Sequence, residues 1–170
     1  ALLTFTQFAV NALGAPTFGA LHASGDREGL RRTVQRIGWM NTAVALPGLA
    51  FLVALGPWLL GLWGDAFTAP EVYKALLILA AGQCFNALCG PVMYLLNMTG
   101  GERAGLLILA VSAAVQLGAA VFLVPALGIV GGAVSAALGM LFWNGLGVWY
   151  IRRQHGFFMV SLISGWWKQS

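Results

Sequence analysis

Hydrophobic positions along this chain neither alternate nor mark one helical face; they run in long blocks separated by short polar pauses. Helices that are apolar around their whole circumference are the ones solvated by lipid or buried in a large core. A bilayer core of about 30 Å needs about 20 helical residues to cross it. Blocks near that length lie at 38–56, 73–96, 104–124 and 129–150, with a shorter one at 1–16. The pattern predicts five passes, four of them full length. The first block starts at Ala1, without a methionine, and has neither the basic leader region nor the small-residue cleavage pattern of a signal peptide. It reads as the middle of a helix begun earlier, so the chain is taken as a fragment of a longer protein.

The pauses carry turn chemistry. Pro16 is expected to close the first helix, and "PALG" at 125–128 to make a tight turn, because proline cannot donate the bond that continues a helix. Gly82 and the pair Gly90-Pro91 are expected to interrupt or kink the block at 73–96. In "SGDREGLRRTVQRIGWM" a helix is expected ahead of the apolar run, with Asp26 as its N-cap and Leu30, Val34 and Ile37 on one face. Gly128, Gly132 and Ala136 recur every four positions, a spacing that lets membrane helices approach closely.

Charge changes the picture from a set of helices to a threaded chain. Charged residues are 8% of the sequence and apolar residues 59%, against roughly 25% charged in soluble domains, so an integral membrane protein is indicated. The bases are not spread evenly: Arg27, Arg31, Arg32 and Arg36 lie in one connector, Arg103 in the next but one, and Arg152 and Arg153 two further on. Between them, the connector with Asp65 and the "PALG" turn hold none, although Lys74 sits just past the first of these. Basic connectors stay in the cytoplasm, so "NMTGGER" becomes a cytoplasmic turn and its Asn97-Met98-Thr99 triplet is not a glycosylation site. Trp58 and Trp63 fall at headgroup level on the opposite side.

Candidate chemistry is sparse. Arg31, Arg32 and Arg36 could form a guanidinium ledge for a phosphate or pyrophosphate, against the weightier reading of a cationic anchor on anionic lipid. Within the spans the polar side chains are amides and hydroxyls, among them Asn41, Gln83, Asn86, Gln116 and Asn144, and no Asp, Glu, Arg or His falls mid-span. These amides could line a hydrated cavity for sugar hydroxyls or bond across helices, with interhelical bonding the safer reading. Cys84 and Cys89 share one helix and read as packing residues. No catalytic constellation and no metal-ligand spacing is seen, so neither an enzyme, a metal, a cofactor nor a nucleic-acid partner is expected. The tail at 154–170, with Trp166, Trp167 and Lys168, reads as an interfacial aromatic segment, or as a truncated further span.

The order of these features resembles a known family. Pro16, "SGDREGLRRTVQR", "PWLLGLWGDAF", "LLNMTGGERAG" and "LVPALGIVGGAVSAALG" together resemble the second half of the flippase superfamily containing polysaccharide (O-antigen type) flippases, lipid II flippases and multidrug and toxic compound extrusion (MATE) transporters, closest to the polysaccharide flippases. The resemblance spans roughly 15–153. It implies an all-α integral membrane bundle in which residues 1–153 form most of the second lobe of a MATE-like two-lobe transporter. The implied function is movement of an isoprenoid-pyrophosphate-linked oligosaccharide across the bacterial inner membrane for cell-surface polysaccharide synthesis. Its implied partners are membrane lipid, the lipid-linked oligosaccharide, the missing N-terminal lobe and polysaccharide polymerase or synthesis enzymes. Two alternatives stand beside it: a cation-coupled multidrug exporter of the same superfamily, and a non-transporting scaffold for polysaccharide synthesis.

Overall fold

The computed structural model describes residues 2–156, with side chains described from Asn11 onward apart from those of residues 13 and 155; the interfacial reading of the tail falls almost wholly outside that range. Six α-helices and one short 3-10 turn make up the described chain: α1 (Leu2–Ala23), α2 (Arg27–Gly61), α3 (Pro70–Cys89), α4 (Val92–Met98), α5 (Glu102–Leu127) and α6 (Ile129–His155), with the 3-10 turn at Asp65–Phe67. Four of them, α2, α3, α5 and α6, are long and apolar enough to cross a bilayer. Large apolar side chains such as Leu106, Leu107, Val121 and Phe122 point outward, as a lipid-facing surface requires. The protein is thus an all-α, multi-pass membrane bundle.

Several element boundaries differ from the sequence reading, for physical reasons. Pro16 does not close α1, which continues to Ala23; beyond the proline, Phe18 is fully buried in the core that it shares with Leu30, Val34 and Leu95. Packing of that turn outweighs the one backbone bond a proline removes. Likewise Pro125 lies within α5, and the turn to α6 is a single residue, Gly128, at φ 57°. Glycine tolerates that left-handed backbone where other residues do not. Gly82 does not interrupt α3. It faces α6, where an added Cβ would meet Met140 Sδ at 3.2 Å. The interruption falls entirely at Gly90-Pro91, where Gly90 takes φ 80° and ψ −162° and divides the 73–96 block into α3 and α4.

The 35-residue α2 is about 52 Å long by helical rise, far more than a bilayer core. Its first three turns are the charged connector, started by Asp26, whose Oδ1 accepts from the Gly29 N–H at 2.8 Å. Leu30, Val34 and Ile37 are buried along one face, as the spacing predicts. Within the span Pro57 cannot bond the Val53 carbonyl, and the Tyr73 hydroxyl of α3 donates to that oxygen at 2.7 Å instead. A helix defect in α2 thereby becomes a tie to α3.

Small residues bring α6 against its neighbours at different positions from the Gly128, Gly132 and Ala136 series. A Cβ at Gly131 would collide with the Leu123 carbonyl oxygen, one at Gly139 would lie 2.6 Å from Gln116 Oε1, and one at Gly147 would collide with Val92 Cγ1. Gly131 and Gly139 let α5 close on α6, and Gly147 admits α4. Gly128 has no neighbour within 4 Å of such a Cβ and Gly132 only Val124 Cγ2 at 4.0 Å; with Ala136 they line an open apolar groove against α2 and α3.

The connectors gather at two ends. At one, a pocket is shared by Leu21, Gly25, Asp26 and Arg27 of the α1–α2 turn and Gln154 of α6. A Cβ at Gly19 would lie 3.9 Å from the Met98 carbonyl oxygen, so the α4–α5 turn joins that end too. At the other end, Leu60, Phe67, Val72, Val124, Gly128 and Ile129 meet around the groove. Every connector rich in arginine is at the first end, as alternate threading demands.

Candidate functional site

Three elements build an open, largely apolar cleft that carries a few polar groups. Helices α3 and α5 both pack on α6 but hardly on each other, so α6 forms a floor with a wall on either side. Gln83 and Asn86 contribute from α3, Leu109, Ser112, Ala113 and Gln116 from α5, and Gly139, Met140 and Trp143 from α6, around a volume of about 370 Å³. None of these nine residues is ionisable. Each wall contributes polar groups at i, i+3 or i+4 spacing, which places them on one helical face.

The intramembrane amides divide into two roles. Asn144 is fully buried; its Nδ2 donates to Asn86 Oδ1 on α3 at 3.0 Å and to the Met140 carbonyl one turn back at 2.9 Å. Asn41 Nδ2 donates to Asn11 Oδ1 at 2.8 Å and ties α2 to α1. These asparagines join helices, as interhelical bonding anticipates. Gln83 and Gln116 instead belong to the lining of the cleft. Gln83 Oε1, Trp143 Nε1, Asn144 Oδ1 and Asn41 Oδ1 are buried without a hydrogen-bond partner, a condition costing about 1–3 kcal/mol per group. Ser112 is satisfied locally, its hydroxyl donating to the Ile108 carbonyl at 2.7 Å.

The arginines of the expected ledge are not equivalent. Glu28 accepts from Arg31 Nε at 3.0 Å and Arg31 Nη2 at 2.8 Å, and from Arg32 Nε at 3.1 Å. The hydrogen bonds from Arg31 and then Arg32 hold the Glu28 carboxyl down at about 2, while the same bond raises Arg31 above its ordinary value. Two guanidiniums are thus gathered on one carboxylate, and Arg36 stands apart and exposed. Further along this end, the Arg153 guanidinium lies 4.9 Å from the Trp149 ring centroid.

Trp143 and the Glu28 clamp were not among the site residues expected from sequence. A tryptophan within a span reads as apolar bulk, and nothing in its spacing announces that the indole N–H lacks a partner. Glu28 was legible in principle, since it stands at i, i+3 and i, i+4 from Arg31 and Arg32.

Comparison with family models, curated proteins and solved structures finds no match in any of the three. The fold and the cleft therefore carry the functional argument themselves.

Proposed function

We propose that this chain is most of the second lobe of a two-lobe bacterial inner-membrane flippase that moves an isoprenoid-pyrophosphate-linked oligosaccharide by alternating access. The observation that carries the reading is the uncharged cleft, with three amides in its lining, set near the middle of α5, of α6 and of the α3–α4 pass. A cavity at that depth serves neutral hydroxyl-rich cargo, whereas a proton or ion relay calls for ionisable groups. The gathering of arginines at one end supports a cytoplasmic assignment for that end. In this reading α1 is the fifth pass, α3 and α4 are one pass broken at Gly90-Pro91, and the break is a hinge of the kind transporters use when one lobe rocks against the other.

The test is genetic and chemical together. Loss of the full-length protein should leave lipid-linked oligosaccharide stranded on the inner leaflet and the cell surface without its polysaccharide. Normal surface polysaccharide with a poorly assembled synthase complex would favour the scaffold; normal polysaccharide with lost cation-driven drug efflux would favour the exporter.

A further inference from the structure

Where α1 turns into α2, the chain meets the end of α6 around a pocket of about 320 Å³. Asp26 and Arg27 bring opposite charges to its lining, Gln154 brings an amide from α6, and Leu21 and Leu30 supply its apolar part. The two charges do not serve each other. Asp26 spends Oδ1 on the Gly29 N–H at 2.8 Å, and its Oδ2 makes no bond among the described residues. Glu28, the next carboxylate along, is already held by Arg31 and Arg32. The Arg27 guanidinium is therefore left with neither an ion pair nor a hydrogen bond among the described residues.

The depth of the pocket says what reaches it. Helix α6 has 27 residues, about 40 Å by helical rise, close to the roughly 40–45 Å of a bilayer with its headgroups included. Its first residue, Ile129, lies at the opposite end of the bundle, beside the apolar groove, so Gln154, next to its last residue, stands at headgroup level. Trp149, 55% exposed and just over one turn earlier, sits where an indole prefers the border of the hydrocarbon. A charged pocket at that depth meets the head of a membrane lipid.

The charges select among heads. A phosphodiester suits Arg27, whose planar fork can give parallel bonds to two phosphate oxygens. A purely anionic head would be repelled by Asp26, and a trimethylated ammonium has no N–H to offer its Oδ2. A primary ammonium joined to the phosphate by a short ethylene link answers both side chains. The volume is about ten times the roughly 30 Å³ of one water in the liquid, which is room for phosphate and ammonium together. We infer that this pocket binds the phosphoethanolamine head of a membrane phospholipid, with Arg27 on the phosphate, Asp26 on the ammonium and Gln154 closing on the same head from α6. The bound head joins the α1–α2 turn to the end of α6. The pocket shares no lining residue with the α3–α5–α6 cleft, so the inference stands apart from what that cleft carries.

The experiment is native mass spectrometry of the full-length protein released from detergent micelles. It is titrated with phosphatidylethanolamine, phosphatidylcholine and phosphatidylglycerol carrying the same oleoyl chains. Phosphatidylethanolamine should bind about tenfold tighter than either of the others, the size of one charge-assisted hydrogen bond. Arg27→Gln should weaken it about tenfold. Asp26→Asn keeps the helix cap, since asparagine caps as well as aspartate, and should erase the preference over phosphatidylglycerol while leaving the lipid-free unfolding temperature unchanged. Arg103→Gln removes the same charge at the same end outside the pocket and should bind as the parent does. Displacement of bound lipid by glycerophosphoethanolamine, the same head without chains, supports a water-borne source as well, and persistence of the lipid supports the membrane alone. Four results would overturn the inference: equal binding of the three lipids, tighter binding of phosphatidylglycerol to the parent protein, an unaltered preference in Arg27→Gln or Asp26→Asn, or a loss in Arg103→Gln as large as that in Arg27→Gln.

Discussion

Replacing Asn144 and Asn86 by alanine, singly and together, probes the bond that holds α3 to α6. Asn144 is fully buried, and of its two donated bonds only the one to Asn86 Oδ1, at 3.0 Å, crosses between helices. Asn144→Ala loses both bonds and leaves a small void, offset by removal of the unpartnered Oδ1; a net loss of about 1–3 kcal/mol is expected. The double-mutant cycle removes those side effects and leaves the pair term, which for hydrogen bonds between membrane helices averages about 0.6 kcal/mol and reaches about 1.7. The assay is reversible unfolding in mixed micelles with increasing denaturing detergent. A coupling energy below about 0.2 kcal/mol would refute the assignment of these asparagines to interhelical bonding.

Other consequences are equally concrete. Tyr73→Phe strips the Val53 carbonyl of the donor that substitutes for Pro57 and should cost about 1 kcal/mol in the same unfolding assay. Because the folded pKa of Glu28 is depressed to about 2, the contribution of its clamp is complete above the ordinary carboxylate value and is lost as pH falls through about 2. A carbon-13 NMR titration of the Glu28 carboxyl should find a midpoint near that value, and an ordinary midpoint would remove the clamp. Gly131→Val drives a side chain into the Leu123 carbonyl across the α5–α6 hairpin, whereas Gly132→Ala meets nothing closer than 4.0 Å. The first should abolish monodisperse protein in size-exclusion chromatography and the second should leave it unchanged.

How much of this was legible in the sequence depends on the kind of residue. Long apolar blocks located the four spanning helices, and the N-cap at Asp26 and the buried face of Leu30, Val34 and Ile37 followed from spacing alone. Prolines misled in two places: Pro16 and Pro125 sit inside helices, and beyond Pro16 the buried Phe18 holds the last turns of α1 to the core. Proline marks a true break only beside Gly90, whose positive φ redirects the chain. The small-residue series was visible but its role was not, since Gly131, Gly139 and Gly147, rather than Gly128 and Gly132, meet the neighbouring helices. Composition put amides in the membrane; only geometry separates Asn41, Asn86 and Asn144, which tie helices, from Gln83 and Gln116, which belong to the lining of a cleft.

The central claim is that the full-length protein carries a lipid-linked oligosaccharide across a bilayer. Its most direct test is reconstitution in proteoliposomes with a fluorescent lipid-linked oligosaccharide, followed by a membrane-impermeant quencher that reports how much label changes leaflet. The account predicts transbilayer movement well above that of protein-free vesicles. Natively folded protein that leaves the label on its original leaflet would contradict it.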